Sequence, residues 1–180
     1  MTSGAPSPGD RDLAIGAGIA AEAERLDWLA AWPLVVRTRA DLLDAIAALS
    51  AAQAAWKPAA AEWSIEEVVR HALNASRDVL RVIEGLAAGN SEGRRTRAGE
   101  QPAQAPAAFD ELRRQFIAHS IDFASVATRL PAAPHYELTA PHARFGRLNC
   151  RAWFLFQRVH DGDHTGQITQ IRAATGFPAA

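Results

Sequence analysis

The sequence predicts an all-α protein, a four-helix bundle with a short N-terminal helical extension. Three observations predict it. Apolar residues recur three and four positions apart in four long segments, and nowhere does a credible pair of alternating strands appear. Capping residues or proline mark where these segments open, and glycine or proline closes them. Connections of moderate length join them, as in bundles whose consecutive helices pack as neighbours. The chain has 180 residues, enough for one domain with a sizeable core.

Residues 1–10 are rich in Pro, Gly and Ser and read as a disordered tail, leaving 11–180 as a single domain. From Arg11 to Ala31, Leu13, Ile15, Ile19, Leu26 and Leu29 allow a helix, but Gly16 and Gly18 weaken its start. This is the short extension. Pro33 suits the first turn of the next helix, Leu34 to Ala55, where Val35, Leu42, Ile46 and Leu49 share a face and Lys57-Pro58 ends the run. Glu62-Trp63-Ser64-Ile65-Glu66-Glu67-Val68 is the strongest helix start. Ser64 and Glu67 form a capping box, and Trp63 and Val68 form a hydrophobic staple. That helix runs to about Ala88, with Gly89-Asn90 as its stop. Asn90 to Pro106 reads as a long loop containing the basic cluster Arg94-Arg95-Thr96-Arg97. A third long helix spans Ala107 to Leu130, with Phe109, Leu112, Phe116 and Phe123 inward. Residues from Pro134 to Asn149 are irregular. Asn149 caps the last helix, Cys150 to Ala174.

Composition excludes several classes of function. The net charge is -1 with no long run of either sign, which gives nucleic acid and anionic membranes nothing to bind. No apolar segment is long enough to span a bilayer. One cysteine, Cys150, cannot form an intrachain disulfide, in keeping with a cytoplasmic location.

The chemistry concentrates in the last helix. At about 100° per residue, Trp153, Phe156, His160, His164, Gln167 and Ile171 fall on one side. Two imidazoles one turn apart interrupt an apolar stripe. Such a pair can direct two ring nitrogens at one cation, and buried without partners it would be costly. His71 lies at the edge of the core face of the Ile65 helix and is the natural third donor.

Two motifs carry a family resemblance. Trp63-Ser64-Ile65-Glu66-Glu67-Val68-Val69-Arg70-His71 resembles the W-S-x-x-E-V-x-x-H opening of the second helix in the DinB/YfiT-like superfamily. His142-Ala143-Arg144-Phe145-Gly146, followed by His160-Asp161-x-x-His164-x-Gly166-Gln167-Ile168, resembles that family's H-P-x-F-G and H-x-x-x-H-x-x-Q-I segments. Ala143 departs from the proline found in many relatives. The resemblance spans about Val35 to Arg172. It implies a four-helix bundle with a three-histidine site for a divalent metal (zinc, nickel or iron) on His71, His160 and His164. It also implies a thiol S-transferase-like or hydrolase-like reaction on a small-molecule substrate with a low-molecular-weight thiol, and a possible homodimer.

Three imidazoles leave a cation with an open position at which water is acidified or a thiol held as thiolate. Glu67 and Asp163 are the candidates to hold imidazole N–H groups from outside the ligand set, while Asp161 reads as solvated. Gln167 reads as a pocket residue. Trp153 and Phe156 read first as core and secondarily as pocket lining. No residue stands out as a general base. His119 reads as a satisfied interior histidine, His142 as a loop anchor, His135 as surface and Cys150 as structural. The alternative to an enzyme is a non-catalytic bundle, metal-stabilised or ligand-binding, that acts as a dimer.

Overall fold

The computed structural model describes residues 7–90 and 108–179. The predicted 90–106 loop and its arginine cluster, and the first six residues of the predicted tail, lie almost wholly outside them. Helix α1 spans Pro8–Arg25, longer than expected and starting inside the predicted tail. Ser7 and Asp10 supply a capping box there: the Asp10 N–H donates to Ser7 Oγ at 3.2 Å and the Ser7 N–H to Asp10 Oδ2 at 3.1 Å. Asp27 then caps a separate helix, α2, Trp28–Ala47, so Pro33 sits inside α2. The long helix expected over 34–55 is also divided. Ser50 and Gln53 form a second capping box that opens the short α3, Ala51–Ala55.

Helix α4, Ile65–Ala87, opens on the Ser64–Glu67 box and closes at Gly89, where φ is +90°. Trp63 sets its edge against His71, with ring centroids 5.3 Å apart. Helix α5, Phe109–Ala124, is shorter than expected and passes into a 3-10 turn at Val126–Thr128. The hydroxyls of Ser125 and Thr128 bond the carbonyls of Asp122 and Ser125, which diverts the backbone from α-geometry. Residues expected to be irregular contain a hairpin, β1 Ala140–His142 against β2 Gly146–Leu148. Strands of three residues are too short to show an alternating pattern. Helix α6, Cys150–Ala173, is capped by Asn149. No helix among the described residues is long and apolar enough to cross a membrane.

The long helices α2, α4, α5 and α6 form the bundle, with α6 packed on both α2 and α4, and α5 on α4 and α2. The buried apolar residues form two clusters. One gathers Val35, Val79, Ile83, Phe123 and Phe154 with residues of α1 and the hairpin. The other gathers Leu42, Leu73, Phe116 and Ile168. On each helix a buried polar residue lies where one cluster gives way to the other: Arg39 on α2, Ser76 on α4, His119 and Ser120 on α5, Gln157 and Asp161 on α6. Arg39 donates to Asp161 Oδ2 at 2.8 Å and Oδ1 at 3.2 Å, to Ser76 Oγ at 2.9 Å and to Ser120 Oγ at 3.3 Å. One guanidinium thus touches the other three bundle helices.

Candidate metal centre

His160 and His164 are held one turn apart on α6, and the capped start of α4 brings His71 to face them. The ring centroids lie 4.4 Å (His160–His164), 5.0 Å (His71–His164) and 5.5 Å (His71–His160) apart. One ring nitrogen from each lies within 4.8 Å of the other two. The two Nε2 atoms of His160 and His164 are 3.3 Å apart. That is close to the separation of about 3.3 Å between two nitrogens sharing a tetrahedral cation at ordinary zinc–nitrogen distances. The donor set is three imidazoles without a carboxylate, the chemistry of a transition-metal site.

Protonation is disfavoured at two of the three rings. Burial pushes the His160 imidazole down to about 2, assisted by the nearby His164, His71, Arg39 and His142. His71 is lowered as well, by burial first and by His164 second. Neutral imidazole is the ligating form.

The carboxylates expected to support the histidines are placed elsewhere. Glu67 accepts the Ser64 N–H at 2.7 Å and the Lys57 ammonium at 2.7 Å, so it serves the helix cap and a surface ion pair. Asp163 is exposed and makes no hydrogen bond to a histidine among the described residues. The supporting groups are instead two glutamines. Gln167 accepts from His164 Nδ1 at 3.0 Å, and Gln157 Nε2 lies 3.4 Å from His160 Nδ1. Asp161, expected to be solvated, is fully buried against Arg39.

Gln167, Trp63, Gln170, Ile171, Glu62, Pro58 and Ala174 line an open groove of about 420 Å³. Trp63 also walls a second groove of about 380 Å³ with His71, Glu67, Arg70 and Asn74. The expected pocket residues Trp153 and Phe156 line neither. Trp153 is fully buried and Phe156 nearly so, because the hairpin covers them: His142 stacks on Phe145 and packs against both rings. Phe156 in turn backs His160, with centroids 5.8 Å apart. His119 is buried on Ser76, with Nε2 3.0 Å from the hydroxyl. Cys150 is buried, and burial raises its thiol.

Sequence reasoning missed Trp63 as a groove wall, Gln157, and the Arg39–Asp161 pair. A signal was present for the pair. Arg39 falls between Val35 and Leu42 on the core stripe, and Asp161 lies one helical repeat from both Phe154 and Ile168. Charges on two core stripes call for each other.

Neither the curated proteins nor the solved structures contain a match to this chain. The sequence model described as the DinB superfamily matches residues 34–168, a span that takes in all three histidines, the hairpin, the polar layer and most of the bundle. With three quarters of its length matched and the bundle in place, the chain belongs to the DinB superfamily.

Proposed function

We propose that this protein holds one divalent transition-metal ion on His71, His160 and His164 and activates a low-molecular-weight thiol or water against a small electrophile. The observation that carries this reading is the convergence of three imidazoles, two of them (His71 and His160) with protonation disfavoured, beside two grooves that share Trp63. Zinc, nickel and iron suit the donor set. Such an ion supplies a Lewis-acid centre that favours the anionic form of a thiol or water near neutral pH. The chain's own residues bind and orient. Gln167 fixes the His164 ring through Nδ1. Trp63 presents a half-exposed indole as the wall against which a substrate lies, and Asn74, Gln170 and Arg70 offer hydrogen bonds along the grooves. Among the described residues no carboxylate hydrogen-bonds the histidines, so a thiol, which needs no positioned base, fits better than water. The lone, buried cysteine supports a cytoplasmic setting.

A specific observation favours a second reading, a non-catalytic bundle that pairs with a second copy of itself. Val35, Val36, Ala40 and Leu43 of α2 face Ile117 and Ile121 of α5 across an apolar groove of about 200 Å³. Leu34, Ile117 and Ile121 of the two helices are exposed.

Elemental analysis of protein purified without a polyhistidine tag tests the first reading. About one equivalent of transition metal is expected in the wild type and none in His164→Ala. Wild type that stays empty after reconstitution with zinc, nickel and iron would sink the enzymatic reading. His71→Ala separates the two readings: loss of metal and thiol-dependent activity together supports the enzyme, and loss of stability alone supports the structural module.

A further inference from the structure

The stretch from Lys57 to Arg70 carries five charged side chains: Lys57, Glu62, Glu66, Glu67 and Arg70. Four of them are matched. The Lys57 ammonium is held by Glu67 at 2.7 Å, and the Arg70 guanidinium by Glu66 at 2.6 Å. Glu62 is left over. It is exposed, and it makes no ion pair or side-chain hydrogen bond among the described residues. It is also the one charged residue among those that line the groove of about 420 Å³. Gln167 and Gln170 add neutral amides to that wall, and Trp63 and Ala174 add apolar surface.

Three features of this groove favour a cation. The first is the uncompensated Glu62 carboxylate. The second is Trp63, whose indole is 43% exposed and carries negative potential on its ring face. The third is α6, which the groove follows from Gln167 to the C-cap, Ala174. Carbonyls in the last turn of a helix bear negative partial charge. Arg172, the basic residue of that turn, does not cancel it there. Its Nη1 donates to the Ala45 carbonyl of α2 at 3.3 Å, and it forms no part of the groove wall. The neighbouring groove lacks this bias, because its Glu67 and Arg70 are both ion-paired. The two sides of Trp63 therefore differ in charge. Gln167 bonds the His164 ring, and Ala174 lies about 10 Å further along the helix. The groove is thus long enough to keep a positive charge apart from a metal dication, with water screening between them, while another group of the same molecule reaches the histidines.

We propose that this groove selects the cationic part of the substrate: the small molecule that reacts at the three histidines carries an ammonium group, held by the Glu62 carboxylate and the face of Trp63. The inference rests on the proposed metal site for what happens at the molecule's other end. Glu62 determines specificity and does not touch the reacting atoms.

The test has two arms. In the first, metal-free protein is titrated with hexylammonium, hexanol and hexanoate. The indole N–H of Trp63, assigned with Trp63→Phe, is followed by proton–nitrogen NMR. Hexylammonium should bind tightest. Glu62→Gln should weaken it by about two- to fivefold, the range of one exposed ion pair, and leave hexanol unchanged. Glu62→Lys should put hexanoate ahead of hexylammonium. Added salt should narrow the wild-type gap between hexylammonium and hexanol. Three probes that bind alike, or a hexylammonium preference that survives in Glu62→Lys, overturn the proposal. In the second arm, cobalt(II)-loaded protein is given aminohexanethiol, mercaptohexanol and mercaptohexanoate, and thiolate-to-cobalt absorption is read. Wild type should favour aminohexanethiol, and Glu62→Lys should favour mercaptohexanoate. Cobalt uptake with no discrimination among the thiols overturns the cation groove and keeps the metal site. Protein that takes up no cobalt but still prefers hexylammonium overturns the metal site and keeps the groove, so the two failures are told apart. The first arm decides the groove whether or not metal or thiol binds.

Discussion

His119 holds an imidazole where protonation is costly. It is nearly buried on α5, bonded to Ser76, and burial together with Arg39 and Arg77 lowers it to about 4. In the unfolded chain the same group titrates near 6.5. Below that pH the unfolded state binds more protons than the folded one, so stability falls as pH falls, until about pH 4. The loss reaches about 2 kcal/mol by pH 5, at 1.36 kcal/mol per unit. His160 and His71, also lowered, act in the same direction when no metal is bound. His119→Gln keeps a partner for Ser76 and removes the titration. Urea denaturation of metal-free wild type and His119→Gln at pH 7 and pH 5 should show wild type losing about 2 kcal/mol more than the variant over that interval. Equal losses would mean that the folded His119 takes up its proton at the ordinary pH.

At the scale of elements, two glycines of α1 make opposite predictions for the same substitution. A Cβ on Gly16 would lie 1.9 Å from the Phe145 carbonyl oxygen, because α1 packs directly on the hairpin turn. A Cβ on Gly18 would meet nothing within 4 Å. Gly18→Ala should therefore stabilise by up to about 1 kcal/mol from helix propensity alone. Gly16→Ala should destabilise, since backbone must move before the methyl fits. Thermal melts of the two variants should move in opposite directions, and a rise in both would mean that α1 does not sit on the turn. The sequence pattern gave these residues a single meaning, as weak points in a short helix, because periodicity counts apolar residues and cannot see a neighbour 129 positions away approaching a missing side chain. The same limit explains the rest of what was hidden. The Ser64–Glu67 box and Asn149 cap are local, so α4 and α6 were legible, and with them the one-turn spacing of His160 and His164. The Ser7–Asp10 and Ser50–Gln53 boxes are equally local and show where α1 and α3 begin, once read as starts and not as interruptions. Glu67 and Asp163 were weighed by spacing along one helix. Their real surroundings come from Lys57, from the cap and from solvent. Gln157 and Asp161 depend on Arg39, 122 residues before Asp161, so their role appears only when α2 and α6 are packed together.

On the scale of the whole molecule, a polar layer divides the bundle core, with the histidine cluster attached at its edge through Gln157. The Arg39 guanidinium sits over the Phe116 and Phe123 rings, 4.8 and 5.5 Å from their centroids, one ring from each apolar cluster. Sliding any helix along its axis would separate Arg39 from at least one of its three partner helices, so the layer sets their register as well as holding the site. A buried ion pair of this kind need not add net stability, but breaking one half of it is expensive. Asp161→Asn should cost about 3–5 kcal/mol, because it leaves Arg39 charged and uncompensated away from water. Adding Arg39→Met removes the stranded charge, and the double variant should recover a large part of that loss. Urea denaturation of the metal-free wild type, both single variants and the double variant closes the cycle. If the losses of the single variants simply add, Arg39 and Asp161 do not act as a unit. If the double variant approaches wild-type stability, the pair's place in the fold is to align the helices on which His71, His160 and His164 meet, and its metal affinity should then fall even though its stability has returned.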